Sequence, residues 1–169
     1  MDIRQETPAD YNSVYEVVKA AFAAAEQSDG NEQDLVAALR KSRSFIPELS
    51  LVAEVQGKII GHILFTKVLI GGHTELALAP LSVLPAYQRR GAGMALMAEG
   101  HRIAGELGYD YSVVLGHPRY YPRAGYRPAG LYGIQAPFEA PDGSFMAKRL
   151  RPSAGPVEGT VVYDPAFGI

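Results

Sequence analysis

Tyr11, Val14, Tyr15, Val18 and Phe22 recur three and four residues apart, the period of one helix face. Thr7 stands before Pro8, with Asp10 three residues on. This is a capping-box pattern with proline at the first helical position, and it predicts a helix over 8–24. Residues 26–34 are polar, and Leu35, Ala38 and Leu39 predict a second short helix ending around Lys41. After Pro47 the pattern changes to strands. Leu51 to Val55 reads as one strand, and Gly57-Lys58 as a two-residue turn whose glycine accepts positive φ. Ile59 to Val68 reads as the returning strand. Gly71-Gly72 predicts another turn, and Thr74 to Leu84 a third antiparallel strand. That strand is apolar at nearly every position from Leu76, as one buried on both faces would be. Pro80 interrupts it. A proline cannot donate to a sheet ladder, so either a bulge sits there or the strand begins only at Leu81. The sequence leaves both open.

A third helix pattern follows Gly91. Leu96, Gly100, Ile103, Ala104 and Leu107 share one face, and Gly108 closes it. Tyr111 to Leu115 is a further buried strand. Strand, helix and strand over 76–115 make a βαβ unit, whose two strands should be parallel with a right-handed crossover. A short helical turn is expected in 120–125, ended by Gly125. Residues 130–143 read as loop, and 145–147 and 160–163 as closing strands. The fold class is therefore α/β, with a mixed, mostly antiparallel sheet flanked by helices. The 169 residues show no repeat or linker, so one domain over 1–169 is expected.

Composition narrows the classes. Lys and Arg number 16 against 18 Asp and Glu, a net charge of −2, so no nucleic-acid partner is expected. No apolar run approaches the ~18 residues of a membrane span, so no membrane partner is expected. Cysteine is absent, which excludes disulfides and a thiolate nucleophile. That absence fits a reducing, cytoplasmic setting, and the opening Met1 to Glu6 has no signal-peptide core. His62, His73, His101 and His117 have no metal-ligand spacing, so no metal is expected. His117 stands nearest the expected cleft. Ser82 has no nucleophile-elbow glycines around it.

The chemistry concentrates in Gln88-Arg89-Arg90-Gly91-Ala92-Gly93, between a strand and a helix. A helix N-terminus offers unpaired N–H groups and the positive dipole end, which together bind phosphate. The loop lacks the Gly-Lys-Ser/Thr of a Walker sequence. It is not Gly-x-Gly-x-x-Gly either, because position 96 is Leu. An ordinary glycine-eased turn with surface arginines would look the same.

The loop resembles the Gln/Arg-x-x-Gly-x-Gly/Ala signature of the GNAT acetyltransferase superfamily. Tyr120-Tyr121-Pro122-Arg123-Ala124-Gly125-Tyr126 resembles that family's aromatic-Tyr-x-x-x-Gly-aromatic motif. The two stand in the family's order, about 30 residues apart across the βαβ unit. Leu78 to Val83, Leu115 to Pro118 and the tail from Gly159 to Phe167 look closest to the YhbS-like bacterial branch. The resemblance covers essentially the whole chain.

It implies a sheet splayed at a central parallel pair. It also implies transfer of an acetyl group from acetyl-CoA to an amine acceptor, a small molecule or a protein, by direct attack in a ternary complex. A covalent intermediate is not expected, since no cysteine exists to carry one. The pyrophosphate of coenzyme A would rest on backbone amides of Arg89, Arg90, Gly91, Ala92, Gly93 and Met94, with Gln88 opening the signature. The pantetheine arm would pair with Leu81, Ser82 and Val83. Tyr121 would protonate the departing thiolate, with Tyr120 and Tyr126 as packing residues. The alternative reading is a non-catalytic acyl-CoA-binding or regulatory module. Gly116-His117-Pro118 departs from the family, where an asparagine often follows this strand, and Pro122 shortens any helix beginning at Pro118. Glu26, Glu54 and Glu75 are candidates for a general base, although solvent exposure would explain each. Loops near 24–33, 69–73 and 130–143 would set the acceptor. Monomer and homodimer both remain open.

Overall fold

The computed structural model describes residues 1–25 and 28–169; Glu26 lies outside them. The strands are β1 (Asp2–Gln5), β2 (Phe45–Val55), β3 (Lys58–Ile70), β4 (His73–Val83), β5 (Tyr111–Leu115), β6 (Arg127–Pro128), β7 (Ile134–Gln135), β8 (Phe145–Arg149) and β9 (Gly159–Val162). The sheet order is β1-β2-β3-β4-β5-β8-β6, with β9 pairing β3 and β7 pairing β9. Along the main path only β4 and β5 are parallel. This is the expected mixed sheet with a central parallel pair, β7 and β9 being parallel off that path.

The helices are α1 (Tyr11–Phe22), α2 (Glu32–Arg40) and α3 (Ala92–Glu106). The expected 8–24 helix divides: Pro8–Asp10 is a 3₁₀ turn leading into α1. The Thr7 N–H donates to Asp10 Oδ2 at 2.8 Å, so the capping pattern does its work at this turn. α2 starts three residues before Leu35. The Asn31 carbonyl accepts the Asp34 and Leu35 N–H groups, and Glu32 and Asp34 suit the helix's positive end.

Two strand details differ from the sequence reading, and one that it left open is decided. The β2–β3 turn is Gln56-Gly57 rather than Gly57-Lys58, because Val55 pairs with Lys58. Both turn residues have positive φ, 50° and 79°, as a type I′ hairpin requires. β2 begins at Phe45 and runs through Pro47. β1 reaches only Leu51 in β2, so no β1 neighbour requires the proline's missing N–H. The Pro80 question is settled in favour of the bulge. Ile63 faces Leu81 and Phe65 faces Leu78, so Ala79 and Pro80 stand where β3 has Leu64 alone.

The bulge reverses the alternation of β4. Leu76 and Leu78 pack on the α3 side, and beyond the extra residue Leu81 and Val83 face the same way. Ser82 is thereby turned to the other face and is 1% exposed. α3 lies close on its side of the sheet because two glycines let it. A Cβ at Gly61 would stand 3.1 Å from Leu96 Cδ1, and one at Gly100 would stand 2.4 Å from Phe65 Cε2. On the opposite face Val14, Val17 and Val18 of α1 and Val36 and Leu39 of α2 pack against Val52 and Leu64. Among the described residues no helix is long and apolar enough to cross a membrane.

Candidate active site

β4 and β5 form a fork. They pair at only two rungs, Leu76 with Ser112 and Ala77 with Val113, while β4 continues to Val83 along β3. The β5-facing edge of β4 beyond Ala77 therefore has no ladder partner, and its backbone groups must bond elsewhere. A cavity of about 560 Å³ opens there. Leu81 and Val83 form one wall, the 87–94 loop and first turn of α3 the floor, and Tyr120, Tyr121 and Arg123 the far wall.

The floor is a helix start prepared by backbone conformation. Arg89 has φ 64° and Gly91 φ 89°, so the chain turns sharply into α3. A glycine suits the second position, since a side chain there would be strained. The first α3 ladder bond runs from the Ala95 N–H to the Gly91 carbonyl. The N–H groups of Ala92, Gly93 and Met94 thus precede any helical partner. With the helix dipole they make an anion-binding end.

Of the residues singled out in the sequence, Leu81, Val83, Gln88, Arg89, Gly91, Ala92, Gly93, Met94 and Tyr121 all line this cavity. Ser82 and Arg90 do not. Ser82 points its Oγ, without a hydrogen-bond partner, into the opposite face of the sheet, and pairs with His62 of β3. The exposed Arg90 guanidinium lies 5.8 Å from the Tyr87 ring centroid. Gln88 donates its side-chain amide to the Val83 carbonyl at 3.0 Å, tying the loop to the end of β4.

Two tyrosines of the second motif are positioned by glycines. A Cβ at Gly116 would lie 2.2 Å from Tyr121 Cε2, so the Tyr121 ring rests on the backbone just after β5. A Cβ at Gly93 would lie 2.1 Å from the Tyr120 hydroxyl, so Tyr120 rests on the start of α3. The two rings meet edge to face at 5.1 Å. The short turn is a 3₁₀ helix, Tyr121–Ala124, ended by Gly125 at φ 96°. Burial pushes the Tyr121 hydroxyl well above the ordinary phenol range and raises that of Tyr120 too. Both stay protonated at neutral pH.

Two of the base candidates, Glu54 and Glu75, are tied up elsewhere. Glu54 Oε1 accepts from Arg4 Nη2 at 2.9 Å. Glu75 accepts the Asp110 and Tyr111 N–H groups at 2.9 and 3.2 Å, fastening the start of β5, and burial raises its pKa. Neither lines the cavity, whose described lining holds no carboxylate. His117 Nδ1 accepts the Arg119 N–H at 3.1 Å, within its own turn. Among the described residues no three metal-ligating side chains gather. Tyr87 and Arg123 are cavity residues that the sequence reading did not single out for the site. Tyr120 was read there as packing. The only sequence signal for them was their place inside or beside the two motifs.

This arrangement agrees with known proteins. The family model for the acetyltransferase (GNAT) family matches residues 11–126. The N-acetyltransferase YjhQ of Escherichia coli K12 is 40% identical over 139 residues, 79% of this chain and 74% of that protein. A GNAT family acetyltransferase from Brucella melitensis, solved in complex with acetyl-CoA, superimposes with a TM-score of 0.81 at 35% identity, covering 98% of this chain and 97% of that one. The N-acetyltransferase YhbS of Escherichia coli, solved in complex with CoA, gives a TM-score of 0.89 at 30% identity over 99% of this chain and 92% of that one. With the parted parallel strands, the glycine-bearing helix start and the tyrosine turn all in the order its sequence signature demands, the chain belongs to the GNAT acetyltransferase family.

Proposed function

We propose that this chain, as a single domain over 1–169, moves an acetyl group from acetyl-CoA to an amine by direct attack within a ternary complex. The observation that carries this reading is one cavity bounded by an unpaired strand edge, a bare helix N-terminus and a protonated tyrosine. The residues fit the donor. Its diphosphate suits the N–H groups of Ala92, Gly93 and Met94 with Arg89 beside them, and its amide-bearing arm suits the open edge of β4 along Leu81, Ser82 and Val83. Acetyl-CoA supplies an activated thioester carbonyl and a sulfur leaving group. Tyr121 holds a proton for that sulfur. A phenol can give it up there only in a close, dry site, since an ordinary thiol is the stronger acid by ~1.5 units.

The cavity's described lining offers no carboxylate to deprotonate the acceptor. Free-thiol release from acetyl-CoA with a panel of amines, compared with hydrolysis alone, tests the reading. Amine-dependent release is expected. Tight donor binding with release no faster than hydrolysis under every amine would make the chain an acyl-CoA-binding module instead.

A further inference from the structure

A buried polar chain behind the cavity has no part in the reading above. His101 Nε2 lies 2.9 Å from the Tyr126 hydroxyl, which lies 2.8 Å from Ser112 Oγ. Tyr126 is 1% exposed and Ser112 0%. The three side chains come from three places that matter. His101 is on α3, whose first turn floors the cavity. Tyr126 closes the tyrosine motif. Ser112 sits opposite Leu76, at one of the two rungs where the fork is joined.

The hydroxyl of Tyr126 needs an explanation, because a phenylalanine would fill almost the same space. A buried hydroxyl costs free energy unless it is hydrogen-bonded, and even when paired its net contribution is small. What two partners on opposite elements do provide is a fixed depth and rotation of the ring. The Tyr126 ring is then a fixed surface for its neighbours. Tyr121 packs on it edge to face, centroids 5.8 Å apart and planes at 82°. The His101 ring is itself held by Phe65, 5.8 Å away and edge-on. Burial and the Lys148 ammonium lower the His101 pKa to about 3, so the imidazole is neutral and the hydrogen-bonded chain does not change through the neutral range.

We propose that His101 is a positioning residue for acetyl transfer: through its hydrogen bond to Tyr126 it fixes the ring on which Tyr121 rests, and so the place of the Tyr121 hydroxyl at the fork. The inference depends on the reading of Tyr121 as proton donor. A displacement of about 1 Å at a reacting group can cost up to ~100-fold in rate, so a modest loosening of this support should be visible in kcat.

The test uses the full chain and the variants Tyr126→Phe, His101→Leu and His101→Gln, each with and without Tyr121→Phe. Tyr126→Phe and His101→Leu are expected to lower kcat by roughly 5- to 50-fold with KM for acetyl-CoA within about twofold. His101→Gln, whose amide can still bond the Tyr126 hydroxyl, is expected to recover most of the loss. In the Tyr121→Phe background the same changes are expected to cost nothing further, because groups acting as one unit are non-additive. An equal loss in that background, or no loss without it, overturns the proposal. If His101→Leu does not fold, Tyr126→Phe, which removes a single hydroxyl, decides by the same outcomes. Tyrosine ring ¹³C resonances separate this inference from the reading beneath it. If Tyr121→Phe alone retains full turnover, the proton-donor reading fails. The positioning claim then stands if Tyr126→Phe shifts or broadens the Tyr121 signal, and falls if the signal is unmoved.

Discussion

Two polar regions on opposite faces of the sheet use their groups differently. On the α1 side, beneath the N-terminal segment, Arg40 donates to both carboxylate oxygens of Glu6 at 2.8 and 2.9 Å. His62 Nε2 lies 3.0 Å from Ser50 Oγ and 3.7 Å from Glu6 Oε2. His62 is fully buried, and desolvation lowers its pKa to about 4. This cluster bonds largely within itself, although His62 Nδ1 has no partner, and it opens onto no described cavity. On the α3 side the N–H groups of Ala92, Gly93 and Met94 precede any helical partner and border a cavity. Polar groups closed on one another hold a fold together. Polar groups left open where side chains have been removed wait for a ligand. The difference separates a stabilising cluster from a working site, although both carry charge or dipole and both adjoin β4.

That contrast breaks most sharply at the open site. Tyr121→Phe deletes one hydroxyl and keeps the ring on Gly116, so the fold should survive. Loss of a positioned proton donor should lower kcat by about 10²–10⁴-fold with little change in donor affinity. Steady-state kinetics over acetyl-CoA concentration check both halves. At the closed cluster the expectation is reversed. Arg40→Ala leaves the Glu6 carboxylate buried without its partner and should cost about 3–5 kcal/mol of stability by denaturant unfolding. Donor affinity of the molecules that remain folded should hardly change.

A smaller effect sharpens the picture of the floor. Gly93→Ala drives a methyl into the Tyr120 hydroxyl, while the ring carbon bearing it stays 3.5 Å away. Coenzyme A affinity should fall on titration, and adding Tyr120→Phe should restore most of it by removing the clashing atom. If the double variant binds no better than Gly93→Ala alone, the two residues do not meet as described. The smallest effect lies away from both regions. Arg4 holds the Asp10 carboxyl down at about 2, below its unfolded value. A depressed acid stabilises the fold above the unfolded pKa and loses that contribution as pH falls through the folded one. Wild type should therefore lose slightly more stability than Asp10→Asn between about pH 4 and pH 2.

The parts legible in the sequence are those written locally. The Gln88–Gly93 loop and the Tyr121–Tyr126 motif each fit in a few residues, and glycines mark their backbone needs. The strand order around 76–115 followed from the βαβ pattern. Turn register was less legible, because Gln56 takes a positive φ that its residue type does not advertise. The Pro80 bulge needed the β3 partner to decide it. Least legible were the pairings made only by folding. Glu6 meets Arg40 and His62, Tyr120 meets Gly93, and His101 meets Tyr126 across 25 residues with no shared period. Glu54 and Glu75 failed as general bases for the same reason, since they are claimed by Arg4 and by the start of β5.

The claim on which the rest depends is that the fork and the open start of α3 receive coenzyme A. Thermal unfolding of the full chain with and without coenzyme A measures it directly. A ligand that binds only the folded state, at 100 times its dissociation constant, should add about 2.7 kcal/mol and raise the melting temperature accordingly. A melting curve unmoved by millimolar coenzyme A would contradict the account.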